Sequence, residues 1–163
     1  MISMTSKELF KFFQTNFICE SLTREDVEKL ISFLQEKWYE SGEVISDTGE
    51  VGDSLGFIIE GKVKFTSGSG SEEAEVGKQG EGSLIGEMSF FDGKPRNLKM
   101  SACKKGVKLF ILTKPMYDRL KVEQPYIAVN ILENAIVSLD TLIRHMGDDI
   151  NALENYVHGF GKR

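Results

Sequence analysis

Hydrophobic residues change rhythm twice along this chain. Near the start they follow a helical beat: Leu9, Phe10 and Phe13 share one face, and Val27, Leu30, Ile31 and Leu34 recur three and four residues apart after Thr23. Thr23 and Asp26 have the spacing of a capping box, with Asp where Glu is usual. After Trp38 the beat shortens to β-branched and aromatic runs cut by glycines, which predicts strands over 43–46, 55–59, 62–66, 74–78, 98–103 and 108–112. Short strands joined by tight turns make a small antiparallel roll. Ser67-Gly-Ser-Gly-Ser71 has no core-forming residue and is expected as an exposed hairpin tip with no ligand role.

Helical spacing returns beyond Leu112. Thr113 is placed to cap a helix with Pro115 in its first turn, and Pro125 to start another. From there Val129, Leu132, Ile136, Leu139, Ile143, Met146, Ile150, Leu153 and Val157 alternate three and four residues apart. A stripe of two per heptad is a coiled-coil seam, narrower than the face of a helix packed only on its own domain. At about 1.5 Å per residue the seam runs roughly 40 Å, which outreaches a roll of this size. A second copy is the expected partner, and the first third of the seam is expected also to cover the roll. Gly147, followed by Asp148-Asp149, marks a place where the helix can break. The alternative is one amphipathic helix lying over the roll.

Composition narrows the class. At 163 residues, with 40% hydrophobic and 28% charged positions, the chain suits one domain with a full core. Uninterrupted apolar runs are only a few residues long, and lysines and a glutamate interrupt the phenylalanines of the first 17 residues, so neither a membrane span nor a signal peptide is expected. A cytoplasmic setting follows from that reading. Cys19 and Cys103 lack metal-ligand spacing and are expected as buried free thiols. The net charge of −5 and the absence of a Lys/Arg cluster argue against a nucleic-acid surface, Lys104-Lys105 and Lys162-Arg163 being too small for one.

The candidate chemistry lies in Gly82-Ser-Leu-Ile-Gly-Glu-Met-Ser-Phe-Phe-Asp-Gly-Lys-Pro-Arg-Asn97. Gly82 and Gly86 allow close backbone approach to a ligand, and Gly86 can open a one-turn helix over 87–91 that Asp92-Gly93 ends. Arg96 offers planar paired donors that match phosphate oxygens. Glu87 would repel a phosphate and suits a hydroxyl pair instead. Such a loop is built to hold a sugar phosphate, although an ion pair between Glu87 and Arg96 closing an ordinary surface loop uses the same residues. Catalysis has no constellation: His145 and His158 both fall on the final helix, so the strands of the roll carry no metal ligands, and no nucleophile stands beside a base. Neither an enzyme nor a metal site is expected.

Gly-Glu, a short apolar helix and then Pro95-Arg96, with the Arg nine residues after the Glu, resembles the phosphate-binding cassette of cyclic nucleotide-binding domains of the catabolite activator protein type. Gly42-Glu-Val-Ile45 and Gly52-Asp-Ser-Leu-Gly-Phe-Ile-Ile-Glu-Gly-Lys-Val63 resemble the strands and turns of the same family, so the likeness covers roughly 22–145. It implies an α+β fold: N-terminal helices and an antiparallel β-roll of the jelly-roll, double-stranded β-helix kind over 1–125, then a long C-terminal dimerisation helix over 126–163. It implies cyclic AMP or cyclic GMP as ligand, with Arg96 on the cyclic phosphate, Glu87 on the ribose 2′-hydroxyl, and Gly86, Met88, Asn97 and Leu98 completing the site. The family follows its arginine with a small residue and then alanine; here Asn97 can still donate to phosphate, whereas Leu98 is the residue expected to crowd the pocket.

Base contacts in such domains come from the long helix, where Leu142-Ile143 take the aligned places, with Thr141 one position off and Arg144 able to stack on a base. The implied partners are a cyclic mononucleotide, a second copy in a homodimer and a separate effector protein. From Tyr126 onward five acidic residues face three basic ones and no recognition helix follows, so direct DNA binding is not expected. The competing reading is a degenerate fold that binds no nucleotide and serves as a protein-interaction module.

Overall fold

Thr5 and Thr23 each open a helix through a complete capping box, with Glu8 and Asp26 as the reciprocal acceptors. They start α1 (Ser6–Thr15) and α2 (Arg24–Ile31) in a computed structural model that describes residues 3–16 and 21–159. Leu9, Phe13, Val27 and Leu30 are buried as their spacing predicts. The Phe13 ring packs 6.2 Å from Phe57 and 6.5 Å from Phe110, which seats α1 on the sheet. Cys19 and the basic pair at 162–163 lie outside the described residues.

Among the described residues six strands follow: β1 (Gln35–Tyr39), β2 (Val44–Ser46), β3 (Ser54–Ser67), β4 (Ala74–Gln79), β5 (Leu84–Ile85) and β6 (Lys99–Thr113). Every pairing is antiparallel, β6 joining β1, β2 and β3, and β3 joining β4 and β5. The four predicted strands over 55–59, 62–66, 98–103 and 108–112 are therefore two long ones. At Gly61, φ 85°, and Gly106, φ 75°, the ladder shifts register instead of ending. A bulge bends a strand without cutting it, and these glycines take backbone angles that side chains resist. The tip between β3 and β4 is exposed, as expected, and holds a 3-10 turn over Gly70–Glu72. Leu55, Phe57, Phe110 and Leu112 pack beneath the helices, while Tyr39, Ile58, Val63, Met100 and Leu109 fill the roll.

The cassette supplies the short helix α3 (Glu87–Asp92), and α4 (Lys114–Glu123) and α5 (Pro125–Gly159) complete the chain. Thr113 stands at the start of α4 but makes no side-chain cap; the Lys114 N–H instead donates to the Asp53 carbonyl at 2.8 Å. Tertiary backbone pairing has replaced the local cap. Cys103 is half-buried on β6, not fully buried.

Helix α5 runs unbroken through Gly147. Its packed face is Ile127, Ala128, Ile131 and Ala135, with Asn130 buried beside them. The first third of α5 thus covers the domain as expected, but through a face offset from the stripe: Val129 is 48% and Ile136 65% exposed, and of the stripe's first three residues only Leu132 reaches the core. The stripe continues outward through Ile143, Met146 and Ile150, all exposed. The side chains of Leu153 and Val157 lie outside the described residues. By length and composition Pro125–Asn151 also qualifies as a membrane span, which a count of uninterrupted apolar runs overlooks. It nevertheless carries Glu133, Asp140 and Arg144, and its other face belongs to the domain core.

Candidate functional site

Two glycines in the left-handed region shape the cassette. Gly86, φ 84°, turns the chain out of β5 into α3, and Gly93, φ 68°, stops α3 with its N–H on the Ser89 carbonyl at 3.0 Å. The Ser89 hydroxyl accepts from the Gly52 N–H and donates to the Lys94 carbonyl, each at 2.6 Å, stapling α3 to the loop before β3. On its far side α3 is held by Lys114, whose ammonium lies 4.5 Å from the Phe90 ring centre and 5.7 Å from that of Tyr117. This fixes α3 between sheet and α4.

Arg96 is pinned through its backbone. Its N–H donates to the Glu50 carbonyl and its own carbonyl accepts from Gly49, both at 2.8 Å, so the side chain leaves from a fixed base. The guanidinium then lies between Gly52 and Gly86: a Cβ at Gly52 would stand 2.9 Å from Arg96 Cζ, and one at Gly86 3.2 Å from Nη2. Arg96 is half-buried, its Nε is buried without a hydrogen-bond partner, and its side chain forms no ion pair among the described residues. Burial pushes its pKa down, while the carboxylates of Asp53, Glu50 and Glu87 pull it back up. An unmatched buried donor on a cation is costly, and an anion is the group that best satisfies it.

Beside Arg96 opens a cavity of about 410 Å³. Its wall includes Tyr39, Ile45, Met100 and Leu109 together with Glu50, Asp53, Gly86 and Arg96, the last being its one basic residue among the described residues. That mixture of apolar wall and few polar groups is typical of small-molecule sites.

Of the residues singled out in the sequence, Gly86 and Arg96 are on this wall. Glu87 is buried, and its Oε1 accepts from the Ser138 hydroxyl of α5 at 3.0 Å. Burial raises its carboxyl pKa, against the lowering effect of its own backbone N–H, Ser138 and Arg96. Glu87 and Arg96 thus form no closing ion pair. Met88 and Asn97 are exposed and Leu98 is half-buried; none of the three is on the wall, so Leu98 does not crowd the cavity. Thr141, Leu142, Ile143 and Arg144 are exposed and equally absent from it, Arg144 pairing with Asp140 at 2.7 Å. Gly52 and Asp53 signalled themselves through the Gly-Asp motif. Ser138 gave no signal, since a serine on a helix reads as a solvated position. Among the described residues no group of three His, Cys, Asp or Glu is placed to hold a metal ion.

A roll with this cassette defines a class, and comparison with known proteins agrees. A family profile described as the cyclic nucleotide-binding domain matches residues 36–121, more than half of the chain. The chain belongs to the cyclic nucleotide-binding domain family. It is 30% identical to the cyclic AMP receptor protein of Thermus thermophilus over 129 residues, covering 74% of this chain and 59% of that protein. It is 32% identical to a cyclic nucleotide-gated potassium channel of Rhizobium etli over 108 residues, 66% of this chain and 29% of the channel. The chain thus spans less than two thirds of either relative. In structure it matches a cyclic nucleotide-binding domain from Methylobacillus flagellatus with a TM-score of 0.78 at 23% identity, over 90% of this chain and 83% of that one, a likeness of fold.

Proposed function

We propose that this chain is a cyclic nucleotide-binding regulatory module that takes cyclic AMP or cyclic GMP in the cavity beside Arg96. One observation carries the reading: a half-buried guanidinium, seated between two glycines, with a buried donor that nothing in the described structure satisfies. The cyclic phosphate supplies the missing acceptor. Glu87 serves the ribose 2′-hydroxyl and Gly86 adds a backbone donor, whereas Met88, Asn97 and Leu98 neighbour the site in sequence without lining the cavity.

The division of labour places the nucleotide unit in 1–125 and a parallel homodimer seam in 126–163. The exposed stripe residues Val129, Ile136, Ile143, Met146 and Ile150 support the seam, because apolar surface of that extent is stabilised by a partner helix. A separate effector protein receives the signal. The module acts without catalysis, direct DNA contact or membrane insertion, in the cytoplasm. The degenerate, nucleotide-free reading has one observation in its favour, the occupation of Glu87 by Ser138.

Calorimetric titration with cyclic AMP and cyclic GMP decides between them. The wild type is expected to bind at least one at micromolar concentration and Arg96→Ala to lose it, since removing a charge-assisted pair costs roughly 1.5–3 kcal/mol per bond. Absence of heat from the wild type with both nucleotides would leave the interaction-module reading in possession.

A further inference from the structure

Charge on the cavity wall is unbalanced. Among the described residues that line it, Arg96 is the one cation, whereas Glu50 and Asp53 both bring carboxylates. Burial lowers the Arg96 pKa, and of the groups that oppose this Asp53 acts most strongly, then Glu50, so both carboxylates lie within electrostatic reach of the guanidinium and of an anion beside it. Lys114 does not redress the balance, because its ammonium is held over the rings of Phe90 and Tyr117 on the far side of α3. The two carboxylates are not equally free. Glu50 Oε2 accepts from the Ser46 hydroxyl at 2.9 Å and from the Asp47 N–H at 3.0 Å, which fixes the turn before Gly52. The Asp53 carboxylate has no hydrogen bond or ion pair among the described residues; the fold uses its backbone carbonyl, which accepts from the Lys114 N–H at 2.8 Å.

We propose that Asp53, seconded by Glu50, selects the ligand by its charge: the cavity takes a phosphodiester with one negative charge and rejects a phosphate monoester with two. The inference rests on the cyclic-nucleotide reading of the cavity. A cyclic phosphate carries a single charge, and Arg96 meets it. Opening the ring by hydrolysis leaves base, sugar and phosphate in place but gives a monoester whose second pKa is about 6, so that it is close to doubly charged at neutral pH. The second charge finds no further cation on the wall and faces Asp53 instead. Coulomb energy scales with the product of the charges, so each carboxylate repels the dianion twice as strongly as the monoanion. Both carboxylates are exposed, which lets water and salt screen the difference to one of several-fold. Asp53 thereby acts on specificity without touching the ligand, and the site stays silent to the ring-opened product.

Calorimetric titration of the full chain with cyclic AMP, and displacement of cyclic AMP by 5′-AMP and by the methyl ester of 5′-AMP, test this in wild type and Asp53→Asn. The ester is open-chain like 5′-AMP but singly charged like cyclic AMP, so it separates charge from ring shape. The wild type is expected to bind the ester several-fold tighter than 5′-AMP despite its added methyl. Asp53→Asn keeps the side-chain shape and the backbone bond to Lys114. If it tightens both singly charged ligands about threefold, it should tighten 5′-AMP about ninefold, the square that a doubled charge requires. The gap should shrink in about 1 M salt, where screening acts within about 3 Å. Equal changes for 5′-AMP and its ester would show Asp53 to be merely structural, and exclusion of both open-chain ligands by wild type and variant alike would assign the discrimination to ring shape; either result overturns the charge rule. If the wild type takes up no cyclic AMP, the nucleotide reading itself fails, and the charge rule with it.

Discussion

Adding one methyl at Gly52 reaches the anion site without removing any charge. Gly52 lies outside the left-handed region, so Gly52→Ala carries no backbone strain. The new Cβ would lie 2.9 Å from Arg96 Cζ and 3.0 Å from Ser89 Cβ, against an ordinary carbon contact of about 3.5–4.0 Å. The guanidinium must therefore retreat by about 1 Å, taking it out of line with a phosphate held by Gly86. As the far end of a flexible side chain it yields readily, whereas Ser89, fixed by two hydrogen bonds, yields less. Overpacking of this kind costs about 1–3 kcal/mol. For a chain of this size that lowers the melting temperature by about 2–4 °C per kcal/mol. Loss of one charge-assisted bond of about 1.5–3 kcal/mol weakens nucleotide binding by about 10- to 150-fold. Calorimetry against cyclic AMP and cyclic GMP, paired with thermal unfolding by circular dichroism, separates the two effects. A Gly52→Ala protein that melts a few degrees lower yet binds as the wild type would refute Arg96 as the anchor.

Charges placed on the outer face of α5 probe the dimer: Ile143→Glu with Ile150→Glu should convert a dimer, seen by light scattering at tens of micromolar, into a monomer, because an unpaired buried charge is not tolerated in so short an interface. A wild type that is already monomeric would exclude the seam. Glu87 makes stability depend on pH with a definite sign. Burial raises its folded pKa, so the folded chain keeps a proton that the unfolded chain releases, and the associated stability, full below the unfolded value of about 4.3, is lost as pH rises through the folded value. Urea midpoints of wild type and Glu87→Gln measured from pH 4 to 7 should diverge upward in favour of Gln; a constant difference would contradict the buried carboxylate.

The cassette was legible because glycines with special angles leave a mark: Gly86 and Gly93 bracket α3 within a residue of the predicted span. The strands were legible in place but not in length. Gly61 and Gly106 read as breaks, whereas the structure uses them as bulges that carry β3 and β6 onward. β1 escaped notice because Gln35-Glu-Lys-Trp-Tyr39 is polar, held by pairing with β6 more than by burial of alternate residues. On α5 the heptad stripe masked the face that packs, since Ala128 and Ala135 carry little hydrophobic signal and yet are buried in the core. Ser138 acts across 51 residues of sequence, a relation that spacing on one helix does not reveal.

The most direct measurement is a nuclear magnetic resonance titration of the isotope-labelled chain with cyclic AMP and with cyclic GMP. The account predicts saturable shifts in the amides of Gly52, of the cassette from Leu84 to Leu98 and of α5 around Ser138, and their disappearance in Arg96→Ala. Spectra unmoved by saturating amounts of both nucleotides, or shifts confined to residues remote from Arg96, would contradict it.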